Sequence, residues 1–312
     1  MAGRDAFGRE AFNRDVFYRQ LDEVYERRDV GAIEQFLLDT QRRLAEDRAY
    51  AMPGCDLCVT PQEREMLNSG YVKNLLTVQN ELLSLYRGVN RFDECLQISA
   101  VMKQEMKDLR MDQTDQYAIL LLNEGTAFRM MRDQDRALAN FDQAETILDR
   151  LMETRPRSVD PFTLATLYNN RAPVLLQRGR AGAAPEEARA DFEKALADLR
   201  KALDLVRGIG RMQQEEAVTL CGIAETCSLL GDDEAGEQAA DEAVALYEAA
   251  GSDPHKGAAL NVKARFLFKR KEFTQAAALF REAAQITRSY YGENDDYRIC
   301  MANAQRAEEA AR

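Results

Sequence analysis

The chain holds one histidine and no tryptophan in 312 residues, and its six cysteines are scattered. A metal site built on imidazoles is thereby excluded within one copy, and acid–base chemistry would have to rest on carboxylates, lysine, tyrosine or cysteine. The cysteine usage is that of a reduced compartment rather than a disulfide framework. No apolar stretch approaches the roughly 18 residues of a membrane span. The first ten residues, MAGRDAFGRE, lack the apolar core of a signal peptide, and glycine stands at position 3, where it does not direct myristoylation. Positive charge is also short: 42 Lys and Arg against 53 Asp and Glu leave a net charge of −11. With no basic block, a phosphate-backbone binder is not expected. These shortages predict a cytoplasmic protein with no nucleic-acid partner, no membrane association and no metal or other cofactor.

What is plentiful is Ala, Leu, Glu, Arg and Gln, all good helix formers. Apolar residues recur every three or four positions, as in Leu82, Leu85, Tyr86 and Val89, and in Leu196, Leu199, Leu203 and Val206. The spacing predicts an all-α chain. Thr60-Pro61, Asp160-Pro161 and Asp253-Pro254 each set a capping residue before a proline suited to a first helical turn. Glu63 would complete a capping box with Thr60. Gly31, Gly231 and Gly292 fall between apolar stripes, where helices are expected to stop.

The chain also repeats itself. From a small residue, related residues follow three, nine, twelve, sixteen and nineteen positions on. Gly125 leads to Phe128, Gln134, Ala137, Phe141 and Ala144, and Ala264 leads to Leu267, Phe273, Ala276, Phe280 and Ala283. Ala224 leads to Cys227, Asp233, Gly236, Ala240 and Ala243, and a looser copy runs from Leu83 through Tyr86, Phe92, Cys95, Ser99 and Met102. In a fifth copy, Ala172 and Leu175 are followed by Ala188, Phe192 and Ala195, with GRAGAAP (179–185) read as a lengthened turn. Small residues let two helices approach closely, and aromatics fill the gap to the next pair. No such hairpin buries its apolar face alone, so stacked hairpins share one core.

These copies, best seen in LNEGTAFRMMRDQDRALANFDQAETI (122–147) and LNVKARFLFKRKEFTQAAALFREAAQI (260–286), resemble tetratricopeptide repeats. Successive copies begin 42, 47, 52 and 40 residues apart. The family's usual period is about 34, so the resemblance is to long-repeat members such as kinesin light chains and bacterial relatives. It implies an α-solenoid superhelix of antiparallel hairpins. Residues 61–312 are read as an array of about five repeats with a truncated C-terminal capping helix, after a divergent hairpin and loop in 1–60. Ser99 and Ala240 stand where other copies carry Phe, so packing is expected to be thinner there.

The resemblance further implies a protein- or peptide-binding scaffold whose concave wall is lined by the first helix of each hairpin. The implied groove residues are Asn80, Ser84 and Arg87; Asn123, Thr126 and Arg129; Asn169, Asn170 and Gln177; Glu225; Asn261, Arg265 and Lys269; and Asn303 with Arg306. Asparagine is a mediocre helix former that carries both a donor and an acceptor, which suits a peptide backbone. Arginine suits carboxylates, so the implied partner is an acidic or C-terminal segment. The lysines of the family's chaperone-binding clamp are missing beside Asn123 and Asn170. The alternative function is a signalling regulator whose superhelix changes shape around a bound peptide.

No enzyme is expected, because no catalytic constellation is legible. Cys55 and Cys58 form the one C-x-x-C and lack a second ligand pair. Two copies sharing the pair would complete four thiolates, and a homo-oligomer stays open. His255 reads as a surface turn, and GRAGAAP lacks the lysine and strand of a phosphate loop. Pro173 falls well inside a helix, where it frees the Asn169 carbonyl and bends the chain. That bend either presents an acceptor to a partner or accommodates the turn that follows.

Overall fold

The computed structural model describes residues 11–51, 60–182, 184–251 and 255–312. Among them are thirteen α-helices and no strand. In order these are α1 (Arg14–Tyr25), α2 (Val30–Ala51), α3 (Pro61–Gly88), α4 (Phe92–Asp108), α5 (Asp115–Met130) and α6 (Gln134–Thr154). There follow α7 (Pro161–Arg180), α8 (Pro185–Ile209), α9 (Gln213–Leu230), α10 (Asp233–Ala250), α11 (Lys256–Lys269), α12 (Phe273–Tyr291) and α13 (Asp295–Ala310). They group into two compact units, Met1–Arg132 and Asp133–Arg312. A boundary at residue 60, between a divergent hairpin and the repeat array, is proposed on kinship between hairpins, a separate matter from compactness. The Glu63 side chain, Cys55, Cys58 and Asp253-Pro254 lie outside the described residues.

Local chemistry sets the helix ends. Asn13 accepts from the amides of Asp15 and Val16 to open α1, and Asp160 accepts from the Phe162 amide before Pro161 opens α7. Gly231 closes α9 in the left-handed region, with φ at 84°. Other turns put a larger residue there: Asn90, Arg110, Arg132 and Lys271 have φ of 61°, 54°, 62° and 64°. The amide that follows reaches the carbonyl five residues back in three of these, Arg91 to Tyr86, Met111 to Met106 and Glu272 to Leu267. That bond satisfies an end carbonyl and offsets part of the strain. Gly31, expected to stop a helix, is the second residue of α2, whose first turn is capped by Asp29 through the Ala32 amide.

The fifth copy also departs from expectation. Gly179 belongs to α7, and only residues 181–184 separate α7 from α8. The extra length therefore goes into the helices: α8 alone has 25 residues. Gly179 is buried because the Phe192 ring lies against it, and a Cβ there would meet that ring at 2.5 Å. Helix α7 runs through Pro173, whose ring is exposed.

The repeat positions form the core within each unit. Ala137, Phe141 and Ala144 are fully buried, as are Ala276 and Ala283, and Phe280 is nearly so. Packing is not thin at Ala240, which is itself fully buried. The missing aromatic is made good by Phe266 of α11, which lies over Gly236. A Cβ on Gly236 would stand 2.5 Å from the ring's Cζ and 3.1 Å from the Ala224 carbonyl oxygen. Gly236→Val is therefore expected to cost about 1–3 kcal/mol through overpacking. Thermal unfolding checks this, and an unchanged melting temperature would show that the ring has room to move. At the end of the second unit, Ala264, Leu267, Phe280, Ala304 and Ala307 share one cluster across α11, α12 and α13.

Candidate functional site

In the first unit, α3 and α5 bring four of the expected residues together. The Arg87 guanidinium donates to Asn123 Oδ1 at 3.0 Å and to Ser84 Oγ at 3.1 Å. Asn123 in turn donates through Nδ2 to Asn80 Oδ1 at 3.4 Å. Asn80, Ser84 and Asn123 line a cavity of about 270 Å³, with Tyr18 and Arg14 of α1 beside them and Met102 and Met106 of α4 also in the lining. Gln116 borders the same cavity, and its Oε1 is buried with no hydrogen-bond partner. Burial pushes the Glu81 carboxyl above its usual range, against the opposing pull of Tyr18 and Arg14.

Thr126 and Arg129, the other expected residues of α5, behave differently. Thr126 is buried and closes its hydroxyl on the Leu122 carbonyl at 2.8 Å, so it offers nothing to a ligand. Its small, half-apolar side chain suits helix packing at that crowded position. Arg129 is half-buried, and its Nε has no acceptor.

In the second unit the expected residues lie on α7, α9, α11 and α13, and several are already engaged. Asn169 and Thr219 exchange hydrogen bonds at 3.0 and 3.1 Å, linking α7 to α9. Glu225 accepts from Arg180 at 2.7 Å and lies 3.6 Å from Arg265, so one carboxylate serves two guanidiniums. Lys269 donates to the Ser228 hydroxyl at 2.8 Å and pairs with Asp233. The Arg306 guanidinium sits 5.3 Å from the centre of the Phe268 ring, within cation–π range. Asn261 has a buried Oδ1 with no partner. Asn170, Gln177 and Asn303 are half-buried on the same helices.

The most heavily bonded charged residue of this unit is Arg171, which no motif marks. It is 1 % exposed, and all five of its N–H donors are used. Nε and Nη2 hold Asp198 of α8 at 2.8 and 2.9 Å, Nη1 reaches Asp142 at 2.9 Å, and Nη1 and Nη2 hold Glu145 of α6 at 2.5 and 3.1 Å. One side chain thus ties three helices. Its pKa is raised: burial alone would lower it, but the bonds to Asp198 and Glu145 prevail. The signal for it was readable. Arg171 interrupts an apolar stripe of Leu164, Leu167, Tyr168 and Leu175, and Asp198 interrupts one of Ala195, Leu199 and Ala202.

Reactive groups are few among the described residues. Burial pushes the Cys95 and Cys300 thiols to about 11 and that of Cys221 to about 12, which disfavours the nucleophilic thiolate. The exposed His255 ring places Nδ1 3.0 Å from Gln214 Nε2. Among the described residues no three His, Cys, Asp or Glu are grouped to hold a metal ion, and no helix is long and apolar enough to cross a membrane.

No protein-family model matches the chain, and no curated protein matches its sequence. Solved structures do match in shape. A signal-transduction ATPase with a tetratricopeptide-repeat sensor, from Pyrococcus horikoshii, aligns at 13 % identity with a TM-score of 0.54. The alignment covers 97 % of this chain but only 43 % of that one. A tetratricopeptide-repeat protein of Thermus thermophilus aligns at 16 % identity and TM-score 0.51, over 74 % of this chain and 98 % of its own. The tetratricopeptide-like repeats of a putative kinesin light chain from Podospora anserina give 13 % identity and TM-score 0.52, over 69 % and 96 %. At these identities the likeness speaks for the fold alone. The chain has the tetratricopeptide-repeat fold, an all-α solenoid of paired helices.

Proposed function

We propose that the chain is a non-enzymatic, cytoplasmic docking protein that binds an extended segment of a protein partner along its first-helix faces, with no nucleic acid or membrane involved. The observation that carries this reading is the bonded row Asn80–Asn123–Arg87–Ser84, of which Asn80, Asn123 and Ser84 line an open cavity with the Gln116 acceptor unsatisfied at its edge. Carboxamides held in place by neighbours are ready to meet a peptide backbone, so little ordering entropy is lost on binding. In the second unit Arg180 and Arg265 share one carboxylate and Arg306 has an aromatic ring, which leaves a cationic excess suited to an acidic or C-terminal segment.

The test is capture of partners by crosslinking from the native cell, using the wild-type chain and an Asn80→Ala, Asn123→Ala double variant. Each lost hydrogen bond is worth about 0.5–1.5 kcal/mol, so recovery should fall about tenfold while helicity is kept. Equal recovery by the double variant would count against the site. A second reading is a sensor, as the Pyrococcus horikoshii structure is described. Division into two compact units gives that reading something to act on. Its expected result is a peptide-dependent change in radius of gyration by solution scattering.

A further inference from the structure

Four helices of the first unit wall the cavity of about 270 Å³, and its lining divides by chemistry. Leu76 of α3 and Met102 and Met106 of α4 are buried and supply, with Ile119 of α5, an apolar part. Tyr18 of α1 stands in the wall. In the polar part, Asn80 Oδ1 accepts from Asn123, Ser84 Oγ accepts from Arg87, and Thr77 closes its hydroxyl on the Lys73 carbonyl at 3.0 Å. Gln116 Oε1 differs: it is buried with no hydrogen-bond partner among the described residues.

A buried acceptor left unpaired is costly, so an N–H or O–H donor is what this lining asks of an occupant. Charge of either sign is unfavourable there. Arg14 and Lys73 line the cavity against a cation. Glu81 stands against an anion, and burial already pushes its carboxyl toward the neutral form. Thioethers and a tyrosine ring favour an aromatic body. Ligand cavities run from about 300 Å³ upward, so this one has room for a single ring system.

We propose that the cavity binds a small, uncharged aromatic molecule carrying a ring N–H or O–H, with Gln116 Oε1 accepting from that donor and Met102 and Met106 packing against the ring. The occupant is a free molecule, which goes beyond the docking reading of the same groove residues. Indole is the probe, added to the full chain. The protein has no tryptophan, so indole fluorescence reports binding without background from its own indoles. One saturable indole per chain is expected. Thr77→Phe, which puts a ring into the cavity from a residue bonded only within its own helix, should abolish binding. Gln116→Met removes the acceptor at similar volume and should weaken indole about two- to tenfold, the worth of one hydrogen bond between neutral groups. Indene, the same bicycle with CH2 in place of N–H, should bind that variant no more weakly than the wild type when read by displacement of indole. Gln213→Met, in the other unit, should change neither.

Four results overturn the site. They are no saturable indole binding, binding that Thr77→Phe leaves intact, and a Gln116→Met variant that weakens indole and indene alike or weakens neither. The fourth is tighter binding of N-acetyltryptophanamide, the same ring on a peptide stub, which would assign the cavity to a side chain of the docked segment. Should Thr77→Phe fail to fold, the comparison of indole with indene in Gln116→Met decides. Indole binding is measured without any protein partner, so its failure leaves the capture result standing, and a failed capture leaves the ring site standing.

Discussion

Arg171→Met is expected to destabilise the second unit by about 3–5 kcal/mol, the loss seen when one partner of a buried ion pair is removed. Methionine fills much of the volume, so the effect isolates charge. Asp198 would be left 3 % exposed with no cation, and Glu145 would lose its principal partner. Denaturant unfolding of wild type and variant measures the difference. The Arg171→Met, Asp198→Leu double variant should recover most of it, since an apolar replacement of a whole buried pair is often neutral or better. A single variant as stable as the wild type would show that the carboxylates reach water on their own.

The same cluster fixes a pH dependence. Burial alone would raise the Glu145 pKa, but the bond to Arg171 holds it below the usual carboxylate value. A group whose folded pKa is depressed contributes stability above its unfolded value and loses it as pH falls through the folded one. In the wild type that loss therefore comes below about pH 4.3. In Arg171→Met only the weaker pull of Lys201 and Lys194 opposes burial, so the Glu145 pKa moves up relative to the wild type. The gap between the two proteins should narrow between neutral pH and the carboxylate range, and a gap constant with pH would contradict the assignment.

Phe280→Ala is expected to cost about 3–5 kcal/mol, from lost transfer free energy and the cavity left behind. Phe280 is 2 % exposed and shares its cluster with Ala264, Leu267, Ala276, Ala277, Ala304 and Ala307. The small side chains around it cannot collapse far into the space. Helix α13 joins this cluster through Ala304 and Ala307, so its amides should lose exchange protection before those of α11 do. A loss below about 1 kcal/mol, or protection of α13 unchanged, would mean that the ring is not what seats the last helix.

Much of the fold was legible because its signals are local. The small and aromatic positions of each hairpin recur at fixed spacing, and Phe141, Ala144, Phe280 and Ala283 lie where that spacing puts them. Asn80, Arg87 and Asn123 were reachable by the same route, since equivalent positions of successive hairpins share a face. What failed to show depends on partners far along the chain. Thr126 looked available until its hydroxyl was seen to close on the preceding turn. The replacement of a missing ring at Ala240 by Phe266 involves another helix altogether. Whether a cation finds a carboxylate is likewise a tertiary fact: Arg171 gains three, and Arg87 and Arg129 gain none among the described residues, though all three sit on similar helices. Helix stops at Asn90 and Lys271 were hidden because glycine was the expected marker.

The seating of Phe266 on Gly236 makes neighbouring hairpins a lock and its key. A segment cut out, copied or moved elsewhere in the array would arrive with a ring that has no matching hollow, or a hollow with no ring. Shuffling these units as interchangeable bricks would therefore fail at that seam unless residues 236 and 266 travelled together.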